Sequence, residues 1–102
     1  MLRLEVVARD TFHASVNAAS EAITRAGGWV SGHSLLSDAM AVLHFEIPGD
    51  RLDELVEELG ARGLKTELPR EQSKRGKDVA GCLTLYFSQG SGDLRREVPS
   101  FQ

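Results

Sequence analysis

The chain has 102 residues, with 12 Lys and Arg against 15 Asp and Glu, which leaves a formal charge of -3. This is the length of one small domain. A hydrophobic content of 41% excludes a disordered polymer, a single cysteine (Cys82) excludes a disulfide scaffold, and the lack of a basic excess argues against a protein that coats DNA or RNA. No run approaches the roughly 18 consecutive apolar residues that span a bilayer. Glu5 and Arg9 interrupt the first apolar run too soon for the core of a signal peptide. A cytoplasmic protein without nucleic-acid or membrane partners is therefore expected.

Residues 2–8 alternate apolar and charged side chains at Leu2, Arg3, Leu4, Glu5 and Val6, the period of a half-buried strand. Asp10 and Thr11 then offer N-caps. Phe12, Val16, Ala19 and Ile23 recur at helical spacing, with alanines widening the stripe, so a helix is predicted over 12–26. Gly27 and Gly28 supply its stop, since glycine accepts the left-handed conformation a C-terminal cap needs.

Residues 29–36 and 39–47 read as two strands about a turn at Ser37 and Asp38. In the second of them, Ala41, Leu43, Phe45 and Ile47 face one way, and Met40, Val42, His44 and Glu46 the other. A two-residue turn sets His33 opposite Val42 and His44 opposite Ser31. Trp29, Ser31, His33 and Leu35 then share a face with Met40, Val42, His44 and Glu46. Pro48 and Gly49 end the hairpin. Asp50 opens a second helix, with Asp53 completing a capping-box-like pair and Leu52, Leu55, Val56 and Leu59 forming the buried stripe. Gly60 or Gly63 closes it. Leu64 to Leu68 alternate again, which predicts a fourth strand.

Strand, helix, strand, strand, helix, strand is the order of the ferredoxin-like βαββαβ sandwich, an α+β fold with both helices on one face of a four-stranded antiparallel sheet. Residues 70–78 are a polar connection, and 79–88 an additional C-terminal strand that carries Leu83, Leu85 and Phe87 on one side. One domain is thus expected over 1–88, followed by a loosely ordered tail over 89–102. The uncovered sheet face, with Val7, Trp29, Leu35, Met40 and Val42, is too apolar to stand comfortably in water. A homodimer through sheet edges or through that face, or cover by the additional strand, is the expected remedy.

Chemistry is less legible. His33, His44 and Glu46 are ligand types that zinc or iron accept, but their spacing is no metal signature, and polar surface explains them as well. No metal or other cofactor is therefore expected. The residues around His13 open a helix, where free backbone N–H groups attract carboxylates and phosphates; simple capping by Asp10 or Thr11 is the plainer explanation. No Gly-x-Ser-x-Gly elbow exists, and Cys82 has no histidine near it in sequence, so Cys82 reads as a small strand residue kept reduced. Lys74, Arg75 and Lys77 read as a solvated loop, and the middle strands lack the stacking aromatics of an RNA-binding sheet.

The strand Leu4 to Asp10, the helix ending at Ala26, Gly27 and Gly28, and the strand and helix from Met40 to Leu59 together resemble an ACT-like domain over residues 2–68. Such domains typically carry an Asp followed three residues later by Gly at the first strand-to-helix turn. Asp10 matches the Asp, and His13 stands where the Gly would be. The segment Gly27 to Val30, with Ile47, Pro48 and the run from Asp50 to Leu55, is also similar to an uncharacterised domain of bacterial envelope lipoproteins. The ACT resemblance implies a non-enzymatic regulatory or ligand-binding module, working as a homodimer. Its small amino-acid-like ligand would lie near Asp10, Thr11, Phe12, His13 and the return at Gly28 and Trp29. Two alternatives stay open: a small dimeric α+β-barrel enzyme using His33, His44 and Tyr86 for proton transfer, and a structural adaptor without a ligand.

Overall fold

Residues 2–69 and 77–87 are described in the computed structural model. Strand β1 (Leu2–Ala8) buries Leu2, Leu4, Val6 and Ala8 and exposes Arg3, Glu5 and Val7, as its period-two pattern requires. Helix α1 (Phe12–Arg25) turns Ser15, Ala19, Ala22 and Ile23 toward the core. It ends in a Schellman cap. Gly28 N–H donates to the Ile23 carbonyl at 2.9 Å and Gly27 N–H to that of Thr24 at 3.0 Å, with Gly27 at φ +96°. Only glycine takes that angle without strain, which is why the helix stops there.

Strands β2 (Trp29–Ser37) and β3 (Met40–Pro48) form an antiparallel hairpin. Its turn is at Asp38 and Ala39, one residue later than the sequence suggested. The Ser37 hydroxyl accepts the Ala39 N–H at 3.0 Å. A single turn of 3-10 helix (Gly49–Arg51) then leads into α2 (Leu52–Ala61), which buries Leu52, Leu55 and Leu59. The expected capping pair of Asp50 and Asp53 does not form: no side chain caps this helix, and Arg51 instead pairs with Glu54 at 2.8 Å. Gly63, at φ +83°, closes α2 in the way Gly27 closes α1, with Leu64 N–H donating to the Leu59 carbonyl. Arg62 ties the helices together, its guanidinium meeting Glu58 of α2 at 2.6 Å and Glu21 of α1 at 3.6 Å.

The last strand, β4 (Asp78–Phe87), lies within the sheet, whose order is β1-β4-β3-β2. It runs parallel to β1 and antiparallel to β3, so the sheet is mixed. This corrects the expected arrangement in three respects, the first being that the sheet is not antiparallel throughout. Residues 64–68 join no strand, and the segment read as an additional strand is the fourth, near the middle of the layer. The βαββαβ element order survives, with β4 as its last strand in place of 64–68, but that strand lies between β1 and β3 and runs parallel to β1. The chain leaves β3 at Pro48 and enters β4 at Asp78, which is its register partner; Gly49 N–H donates to the Lys77 carbonyl at 2.7 Å where the two meet.

The reason lies in what each segment can bury. β4 sends Val79, Leu83, Leu85 and Phe87 into the core, whereas 64–68 has only Leu64 and Leu68 to offer. At roughly 1.5–3 kcal/mol per large apolar side chain, the richer segment takes the inner position. The outward residues Ala80, Cys82, Thr84 and Tyr86 carry no formal charge, which also suits a strand with neighbours on both edges. The core lies between the helices and the inward faces of β1, β3 and β4, with Leu4, Ile23, Leu43, Phe45, Leu55, Leu59 and Leu85 fully buried. The expected tail over 89–102, and Ser88 with most of the polar connection, fall outside the described residues.

Candidate functional site

The end of β1 and the start of α1 set out the first group of predicted ligand residues. Thr11 is the helix cap: its hydroxyl accepts the Ala14 N–H at 3.2 Å and its carbonyl the Ser15 N–H at 2.9 Å. Asp10 Oδ1 accepts the Thr11 N–H at 2.8 Å. The donors an anion would want are therefore partly used, and a carboxylate stands beside them. Phe12 is half-buried against the core, its ring 5.7 Å from that of Phe87, while the exposed His13 ring meets its edge at 5.4 Å. Gly28 and Trp29 lie beyond the other end of α1, which at 14 residues and ~1.5 Å each is about 21 Å long. The six predicted residues thus form two groups at opposite ends of the helix, not one pocket within a single chain.

The open sheet face differs from its predicted layout because β2 is bulged. Trp29 pairs with Glu46 and Val30 with Phe45, but Gly32 pairs with His44, so Ser31 is an inserted residue. One inserted residue moves the side chains after it to the other face, here as far as a second inserted residue at Leu36. His33 consequently stands opposite Leu43 and Leu35 opposite Ala41, on the helix side, while His44 stays on the open side. The pair His33 and His44 is therefore split across the sheet. Among the described residues, no three His, Cys, Asp or Glu side chains gather as a metal site would need. Of the proton-transfer set of the enzyme alternative, His33 likewise lies on the opposite side of the sheet from His44 and Tyr86.

What the register does bring together is a row across the open face. Arg3 of β1 pairs with Cys82 of β4, and Cys82 with His44 of β3. Cys82 Sγ lies 3.7 Å from His44 Nδ1. Distance in sequence concealed this partnership. Pairing 79–87 directly against 39–47 was the signal that would have revealed it.

A second feature lies at the exposed edge of β1. An open cleft of about 490 Å³ is lined by Glu5, Val7, Arg9 and Tyr86 from the sheet and by Gly63 and Lys65 from the segment after α2. Its lining combines one carboxylate, two cations and a phenol with the apolar Val6 and Val7. Arg9 directly precedes the predicted residues 10–13 and Tyr86 belongs to the proton-transfer alternative, but Glu5 and Lys65 have no place in any predicted site. Lys65 enters only because 64–68 runs beside the sheet without joining it.

Among the described residues, no helix is long and apolar enough to cross a membrane. No protein-family model matches the chain, and neither does any curated protein or solved structure.

Proposed function

We propose that this chain is a non-enzymatic ligand-binding module of ferredoxin-like, ACT-like character, and that its ligand is a small amino-acid-like molecule held in the cleft at the β1 edge. The observation that carries this reading is the charge pattern of the cleft. Arg9 and Lys65 suit a carboxylate, Glu5 suits an ammonium group, and Val7 with Tyr86 suits an apolar side chain between them. A volume of about 490 Å³ accommodates such a molecule. The cleft takes over the role that the sequence gave to Asp10, Thr11, Phe12, His13, Gly28 and Trp29, which the topology separates.

The homodimer belongs to the same reading. Leu35 and Leu36 are each 57% exposed on β2, at an edge of the sheet, and two neighbouring leucines in water favour burial against a second copy. In this reading the ligand acts by binding one dimer geometry more tightly than another, which is the only way a ligand shifts such an equilibrium.

The test is a thermal-unfolding screen against single amino acids, followed by calorimetry. A ligand at a hundred times its Kd stabilises by about 2.7 kcal/mol. Arg9→Ala and Lys65→Ala abolish that response if the cleft is the site. A flat response to every amino acid removes the proposal in favour of a ligand-free adaptor. Sedimentation of Leu35→Ser/Leu36→Ser separately tests the dimer, which the double variant converts to monomer.

A further inference from the structure

We infer that Cys82 is a thiol-exchange site on the open sheet face, activated by His44 and directed by Arg3 toward small disulfides that carry carboxylates. Arg3, Cys82 and His44 do not line the cleft at the β1 edge.

The geometry is that of a nucleophile beside a base. Cys82 is half-exposed, His44 is exposed, and Sγ to Nδ1 is 3.7 Å, within the looser reach of a sulfur contact. Both side chains project from neighbouring strands at paired positions, which fixes their spacing far better than a loop would. On the other flank the register sets Arg3 opposite Cys82. Glu5 and Glu46 also face outward, but they pair with Thr84 and Ala80, one pleat away on the diagonal. The two groups directly opposite the thiol are thus a permanent cation and an imidazole. Beyond His44, its partner on β2 is Gly32, where even an added Cβ would meet nothing within 4 Å. The imidazole side of the row therefore has room for an incoming molecule.

The step balances without an outside oxidant beyond the disulfide. In the tautomer that carries its proton on Nε2, His44 Nδ1 accepts the Cys82 thiol proton. The sulfur attacks one sulfur of the disulfide, the old S–S bond breaks, and a new one forms to Cys82. The departing thiolate collects the proton from His44 and leaves as a thiol. Arg3 holds a carboxylate of the incoming molecule as this occurs.

The test uses the full chain and two probes of opposite charge, oxidised glutathione and cystamine, with adduct formation followed by intact mass. The folded protein reacts faster than the same protein in urea, and faster with oxidised glutathione than with cystamine. His44→Gln, shown to be folded by its thermal transition, slows adduct formation roughly tenfold or more. Arg3→Gln removes the preference between the probes, and Cys82→Ser forms no adduct. A folded His44→Gln protein that reacts at the parental rate overturns the proposal. So does a parental protein no faster folded than unfolded, a comparison that remains decisive if His44→Gln fails to fold. Neither result bears on the amino-acid screen.

Discussion

The ring of Phe45 occupies the space that a side chain at Gly81 would need. A Cβ built on Gly81 would lie 2.6 Å from Phe45 Cζ and 3.1 Å from the Leu2 carbonyl oxygen. Gly81 pairs with Phe45 on one side and Leu2 on the other, so this contact locks the centre of the sheet at the junction of β1, β4 and β3. Phe45 is fully buried and has no solvent side toward which to retreat. Gly81→Ala restricts the unfolded chain, which alone favours folding by about 0.4–1 kcal/mol. Overpacking a filled core costs about 1–3 kcal/mol and outweighs that gain. Urea denaturation should show a lower midpoint with an unchanged slope. A variant as stable as the parent would mean that the ring is not held against the glycine.

Ser15 presents the opposite situation. It is 2% exposed on the buried face of α1, and its hydroxyl has no hydrogen-bond partner. A buried hydroxyl without a partner is a net cost, and alanine is the better helix former. Ser15→Ala should therefore leave stability unchanged or raise it by up to about 1 kcal/mol, since removing an unsatisfied group recovers its desolvation penalty. Loss of stability in thermal unfolding would show that the hydroxyl is bonded in solution.

Thr11 separates capping from ligand binding. Its hydroxyl accepts one N–H at the start of α1, and losing such a cap costs typically ~1 kcal/mol. Thr11→Ala should lower stability by that order while keeping the response to whichever amino acid stabilises the parent, measured as the shift in midpoint on adding ligand. A variant of parental stability that no longer responds to the ligand would return the binding site to residues 10–13.

The sequence patterns recorded burial more faithfully than pairing. The alternation of β1 and β3 is reproduced residue by residue in their exposure, and Gly27 stops α1 where expected. The alternation over 64–68 is also real, with Leu64 buried, Lys65 and Glu67 exposed, and Leu68 half-buried. Yet a ladder needs a neighbour as well as a pattern, and β4 holds the place between β1 and β3. The candidate site suffered most. One inserted residue at Ser31 carried His33 to the other face, and bulges leave no mark in hydrophobic period. The partnership of Cys82 with His44 depends on where β4 docks, and the cleft that Lys65 shares with Glu5 and Arg9 depends on how the segment after α2 meets β1. Contacts between segments distant in sequence follow from topology, which local pattern does not encode.

That distinction between burial and pairing is itself testable at Leu64. The residue is 4% exposed and packs in the core, although its segment carries no sheet hydrogen bonds. Leu64→Ala should cost about 2–5 kcal/mol, the range for emptying a filled apolar site. The neighbouring exposed Lys65→Ala should stay within about 0.5 kcal/mol, as surface changes do. Amide hydrogen exchange then separates the two properties. Among residues 65–68, N–H groups outside any ladder should exchange rapidly, whereas those of Leu83 and Leu85, paired with β1 and β3, should open only with global unfolding. Slow exchange throughout 65–68 would mean that this segment has found a strand partner after all, and the cleft at the β1 edge, which depends on its standing apart, would close with it.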